Sequence, residues 1–304
     1  MELWLAVGRS VIKASTPLLL GTLGGIYIER SGVLNLGAEG LMIVGAVTGF
    51  VVAVNTGNPA LGVLAAALAS MMLALVYGVF VVTLRANQVV SGLALTMFGL
   101  GISSLMGKEY VGIPAPHLPP VPIPILSRAP IVGRLLFSHD PLVYTSLILT
   151  ILLWFILYKT RVGMAVRAVG EAPAAADAMG VNVYRVRYAC LALGGALIGV
   201  AGAYLSLSYI PAWTEGLTAG RGWVVVALTV FSMWDPLRAL LGAYLYGGVE
   251  VLQYHLQPYG VPPALLSTLP YLATIAVLCV ISREAVRKRI GAPAALGKPY
   301  TREV

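Results

Sequence analysis

Ala60-Leu-Gly-Val-Leu-Ala-Ala-Ala-Leu-Ala-Ser-Met-Met-Leu-Ala-Leu-Val-Tyr-Gly-Val-Phe-Val-Val-Thr-Leu84 holds no charged residue and is bounded by Pro59 and Arg85. About 20 mostly apolar residues let a helix cross the hydrocarbon of a bilayer, and this run exceeds that length. Comparable runs lie near 11–28, 38–54, 88–107, 141–158, 189–210, 216–234, 237–255 and 264–282. The sequence therefore predicts an all-α polytopic membrane protein with about 8–10 transmembrane or re-entrant helices in its 304 residues. Composition agrees: 59% of residues are hydrophobic, only 11% are charged, and the mean hydropathy is +0.88. A soluble domain carries roughly a quarter of its residues charged, so a soluble enzyme is excluded, as is a disordered chain.

Small residues recur four apart at Gly21/Gly25, Gly45/Gly49 and Gly195/Gly199/Ala203. That spacing puts them on one helical face, where backbones can approach closely. The net charge of +8 accompanies no basic-aromatic module, so nucleic acid is not a partner. On so apolar a chain the excess marks cytoplasmic loops and contact with membrane lipid.

The segment 159–187 carries Lys159, Arg161, Arg167, Arg185 and Arg187, and the tail after Ile281 carries Arg283, Arg287, Lys288, Arg289, Lys298 and Arg302. Both are predicted to be cytoplasmic. Alternation then puts 108–140 outside. That loop holds seven of the chain's 19 prolines, which makes it extended and stiff. Strict alternation also leaves the N-terminus outside, against the preference of Arg9 and Lys13. Reading Glu29–Gly40 as a broken or re-entrant element, too polar and glycine-rich to face lipid, gives about ten membrane elements with both termini inside. The expected organisation is a transmembrane domain over 1–282 and a basic cytoplasmic tail over 283–304.

Reactive chemistry is sparse. Cys190 and Cys279 sit in apolar runs, and His117, His139 and His255 have no ligand-spaced partner, so neither a metal nor a cofactor is expected. Gly291-Ala-Pro-Ala-Ala-Leu-Gly297-Lys298-Pro299 is one residue too long for a phosphate loop and has Pro where Ser or Thr belongs. No nucleophile elbow, zincin helix or carboxylate pair appears, so no catalytic residue is assigned. Any driving energy comes from a partner or an ion gradient. In the stretch 159–187, Pro173–Met179 reads as a short helix, with Pro in its first turn, Glu171 near its N-terminus and Gly180 as its stop. Its alanines leave the backbone open to another protein's groove, and the same composition also serves an ordinary loop helix.

Five ordered segments carry a resemblance: Glu29-Arg-Ser-Gly-Val-Leu-Asn35-Leu-Gly-Ala-Glu39-Gly40, Ala86-Asn-Gln88-Val-Val-Ser-Gly92, Gly163 to Gly180, Gly220-Arg-Gly-Trp223, and Trp234-Asp-Pro-Leu237. Together they resemble the inner-membrane permeases of ATP-binding-cassette importers for nucleosides, a branch of the superfamily that also serves ribose and branched-chain amino acids. The likeness runs from about residue 15 to 282. It implies a helical permease subunit of the inner membrane that pairs with a second, identical or homologous permease subunit. It also implies an ATPase subunit and an external substrate-binding lipoprotein. By that likeness the short helix is the coupling helix gripped by the ATPase, with Gly170, Glu171, Ala175, Asp177 and Gly180 as its residues. Asp235 departs from the Asn or small polar residue expected there.

Ionisable residues within membrane elements usually face a cavity or a partner. Glu39, Arg221 and Glu250, with Asn35 and Gln88 as uncharged polar companions and Trp213 as an aromatic one, are the candidate substrate pathway. The Asn, Gln and Glu side chains could bind ribose hydroxyls, while Trp213, Trp223 and Tyr209 either stack on a base or form an interfacial belt. Two rivals are a sugar or branched-chain amino acid permease and, in another class, an ion-coupled secondary transporter. The latter should show a linked intramembrane acidic relay, which Glu39 and Glu250 do not make. A purely structural membrane subunit is a third.

Overall fold

Unbroken apolar stretches become helices, and glycines decide how closely those helices pack. A computed structural model describes residues 2–114, 116–121, 132–257, 262–266, 268–269, 272, 275 and 291–302. The run 264–282, the centre of the Pro-rich loop, Cys279 and the basic residues 283–289 fall mainly or wholly outside the described residues. The chain forms α1 (Glu2–Arg30), α2 (Ala38–Thr56), α3 (Pro59–Gly78), α4 (Gln88–Gly107), α5 (Val132–Leu136) and α6 (Pro141–Lys159). It continues with α7 (Arg161–Glu171), α8 (Pro173–Ala178), α9 (Val183–Tyr204), α10 (Arg221–Phe231), α11 (Pro236–Leu256) and α12 (Pro263–Leu266). Single π-helical turns extend α3 through Thr83 and α9 through Tyr209. Among the described residues six helices are long and apolar enough to cross a membrane.

Asn58, Asn87, Asp140 and Asp235 start α3, α4, α6 and α11, each accepting two backbone N–H bonds at the helix N-terminus. Asp235 thus acts as a helix cap. The paired small residues lie where the sequence spacing puts them. Gly45 of α2 meets the Gly199 backbone of α9, Gly49 meets Ala203, and Gly21 and Gly25 of α1 face Val225 and Thr229 of α10. The core is therefore α1, α2 and α9, which are mostly buried, whereas α3, α4 and α6 leave wide apolar faces open.

One end of the bundle gathers Arg30, Lys159 and Asp235; we call it the basic end. There Arg30 donates to the carbonyls of Trp234 (3.1 Å) and Met233 (3.3 Å). The other, the loop end, holds Asn55, Trp213 and His139. The start of α1 belongs to the loop end, because Gly8 packs on Leu135. The N-terminus and the 291–302 tail therefore lie at opposite ends, which corrects the expectation of both termini on one side. The physical reason lies in the break. After Arg30 the chain turns at Gly32 (φ +90°) and re-enters the bundle irregularly, and α2 starts deep inside it, with Gly40 against Leu95, Thr96 and Gly99 midway along α4. The break is thus real, but it adds no crossing.

A second correction concerns 216–234, read as a full span. Only Arg221–Phe231 is helical, 11 residues or ~16 Å at 1.5 Å per residue, about half of the hydrocarbon thickness. Positive φ at Gly216, Ala219 and Gly220 shapes the turns that precede it.

Candidate functional site: a buried helix start and a polar cavity

Because α10 begins inside the bundle, its first N–H groups need an acceptor where water is scarce. Glu39, in the first turn of α2 and 5% exposed, supplies it. One carboxylate oxygen accepts from the Thr218 hydroxyl (2.5 Å) and Gly220 N–H (3.1 Å), and the other from Gly222 N–H (2.6 Å). A negative charge at the positive end of a helix dipole is a favourable placement. The two helix starts, of α2 and α10, thereby fix each other. Gly222 is required at this point, since a Cβ would collide with the Glu39 backbone.

On the other side of this helix start, Arg221 forms an ion pair with Glu250 of α11. Its guanidinium also lies over the Tyr209 ring, 5.4 Å from the centroid. Tyr209 ends the π-helical turn that closes α9, a local geometry often found at functional sites. Arg221 and Glu250 border a cavity of about 510 Å³ whose polar lining is completed by Thr214, Tyr246, Gln253 and Tyr254. Glu250 Oε2 is buried without a hydrogen-bond partner. Buried polar atoms normally find partners, and this oxygen is an exception beside the cavity. Gln253 and Tyr254 were not singled out in the sequence, although their i+3 and i+4 spacing from Glu250 puts them on one face of α11.

The remaining pathway candidates lie elsewhere. Trp213 is 1% exposed and packs its indole against Gly107 and Phe50. It is a core residue and does not line the cavity. Asn35 and Gln88 sit together near the break, lower in the bundle. Gln88 Oε1 accepts from Leu34 N–H (2.7 Å), while both side-chain polar atoms of Asn35 and Nε2 of Gln88 are buried without partners. The sequence set therefore splits into a cavity group, Arg221 and Glu250 with Glu39 behind them, and a break group, Asn35 and Gln88.

At the basic end the short helix appears as α8, and Gly180 stops it at φ +83°. Ala175 and Met179 are exposed. Gly170 is not, because it is pressed against the Arg30 carbonyl and Pro293. Glu171 closes α7 and accepts from Ala294 N–H (3.3 Å), and Asp177 pairs with Arg302 (2.9 Å). Three of the five candidate coupling residues thus already hold intramolecular partners.

At the loop end Asp140 ties the loop to the bundle. Besides capping α6 it accepts from the hydroxyls of Ser208 (2.8 Å) and Tyr204 (3.3 Å). Burial pushes the neighbouring His139 imidazole down from its ordinary value, and its bond to the Leu135 carbonyl and the Asp140 carboxylate offset only part of this.

A bundle of apolar helices, broken inside at a carboxylate-capped half-helix and holding a polar cavity, defines a multi-pass membrane transport subunit. Residues 9–278 match the family described as branched-chain amino acid transport system / permease component, and the chain belongs to that family. It is 40% identical to the putative glucose ABC transporter permease protein TsgC13 of Haloferax volcanii, over 97% of each chain. It is 35% identical to the guanosine ABC transporter permease protein NupQ of Bacillus subtilis, over 94% of this chain and 93% of the relative. The nucleoside ABC transporter permease protein NupC of Lactococcus lactis is 32% identical, again over 94% and 93%. No solved structure matches the chain. The protein is an ABC transporter permease and not an enzyme. Permeases of such importers work with an ATPase and a substrate-binding protein.

Proposed function

We propose that the chain is the permease subunit of a nucleoside importer in the cell's inner membrane. In this reading the basic end is cytoplasmic and the cavity beside Arg221 receives the cargo. The carrying observation is that cavity's chemistry. The cation among its described lining residues, Arg221, is paired to Glu250, so little is offered to the free carboxylate of an amino acid. Thr214 and Gln253 suit the hydroxyls of a sugar ring, and the rings of Tyr246 and Tyr254 suit a flat base. The nucleoside and guanosine permeases among its relatives support the same cargo. A second reading, a hexose, is favoured by the 40% identical glucose relative; a hexose shares the hydroxyls but brings no base.

Uptake by the complex reconstituted with its ATPase, second permease subunit and binding protein separates the two. Labelled guanosine or adenosine should accumulate with ATP, and a hundredfold excess of glucose should leave it unchanged. Glucose uptake without nucleoside uptake would overturn the nucleoside reading.

The same reading makes α8 the helix that docks into the ATPase, through exposed Ala175 and Met179. Ala175→Trp should overpack that contact at about 1–3 kcal/mol by analogy with overpacked interiors. Expression should stay normal, with ATPase co-purification weakened and uptake lost. Normal assembly and uptake would show that force enters elsewhere.

A further inference from the structure

The tail reads in sequence as a basic extension, yet residues 293–302 are built into the basic end. A turn closes on itself through Leu296 N–H to Pro293 O (2.9 Å) and Lys298 N–H to Ala295 O (3.1 Å), with Gly297 at φ +76°. Ala295 is buried and donates to the Gly170 carbonyl (2.9 Å), and Gly297 donates to the Gly32 carbonyl (3.3 Å). One short turn therefore bonds the α7–α8 segment on one side and the α1–α2 break on the other. Farther along, Tyr300 is buried among Val169, Ala176 and Val183, and Arg302 reaches Asp177. The break is gripped from behind as well, since Arg187 of α9 donates to the Ser31 carbonyl (3.2 Å).

We propose that residues 293–302 are a positioning brace that locks the coupling helix to the α1–α2 break. This rests on the reading of α8 as the coupling helix. Displacement of α8 by the ATPase is then carried through Gly170, Ala295 and Gly297 to Gly32. From there it passes along the irregular segment to Glu39, which holds the start of α10 and the wall of the cavity. Without the brace, α8 remains a docking helix, but of its ties to the break only the packing of Gly170 on the Arg30 carbonyl remains.

The test uses the reconstituted importer, reading ATPase co-purification, ATP hydrolysis and cargo taken up per ATP. A chain ending at Gly291 removes the brace and introduces no buried charge. Ala295→Asp expels it by placing an unpaired carboxylate in a buried site, and Ala295→Ser keeps the size and serves as the conservative control. The truncated chain and Ala295→Asp should co-purify with the ATPase at the wild-type level and hydrolyse ATP, while cargo per ATP falls at least tenfold; Ala295→Ser should retain it. Wild-type cargo per ATP in the truncated chain overturns the brace. Loss of ATPase co-purification from it does so too, because the tail would then belong to the docking surface. Failure of the underlying reading shows separately: if Ala175→Trp assembles and transports normally, α8 is not the docking helix and the brace falls with it.

Discussion

Glu39→Ala is expected to bring uptake to background and to lower the melting temperature of the purified protein. The substitution removes the acceptor for the Thr218 hydroxyl and for the N–H groups of Gly220 and Gly222. Each buried donor left without a partner costs about 1–3 kcal/mol, and together they approach the ~5–15 kcal/mol that holds a domain folded. The start of α10 would then move, and with it Arg221 and its pairing to Glu250. Glu39→Gln keeps one carbonyl oxygen but turns an amide NH2 toward an N–H donor, so it should fall between. Thermal melting in detergent and uptake in vesicles check both variants. Wild-type melting and uptake in Glu39→Ala would remove Glu39 from this role.

The second large effect is on assembly itself. Gly202 of α9 faces the Met42 carbonyl and Ala46 N–H of α2, and any Cβ there collides with backbone. Backbone cannot rotate away as a side chain can, so Gly202→Leu should exceed the ~1–3 kcal/mol typical of overpacking. The expected outcome is aggregation or degradation, with no monodisperse protein on gel filtration. Gly248→Leu on α11 is the matched control, because a Cβ there finds open space, and it should purify normally. Equal yields of the two variants would mean that α2 and α9 do not rely on this close approach.

Much of this arrangement could be read from the residues. Apolar run lengths located most helices, and the spacings Gly45/Gly49 and Gly195/Gly199/Ala203 marked a close-packing face on each helix without saying that the two faces meet, because four-residue spacing fixes a face and not its partner. The break after Arg30 was visible as polar, glycine-rich sequence in a chain otherwise saturated with Leu, Val and Ala. What could not be read depends on meetings between distant segments. The stretch 216–234 looks like a span because Val224–Val226 and Leu228 are as apolar as any membrane helix; nothing local says that Glu39 will cap it halfway. Trp213 looked like a ring available for stacking, and only the glycine at position 107 reveals that it is buried. The tail's bonds to Gly32 and Gly170 are backbone contacts, which leave almost no trace in side-chain composition.

The shortness of α10 bears on how the protein is made. A helix of 11 residues, ~16 Å long, cannot satisfy a bilayer alone, and Arg221 at its first position makes solitary entry costlier still. It cannot enter the membrane as an independent segment handed over by the insertion machinery. Its burial depends on α1 and α2, on which it packs, and on Glu39, which receives its first N–H groups. Biogenesis is therefore ordered from within: the element beside the cavity is the one that must arrive after its scaffold.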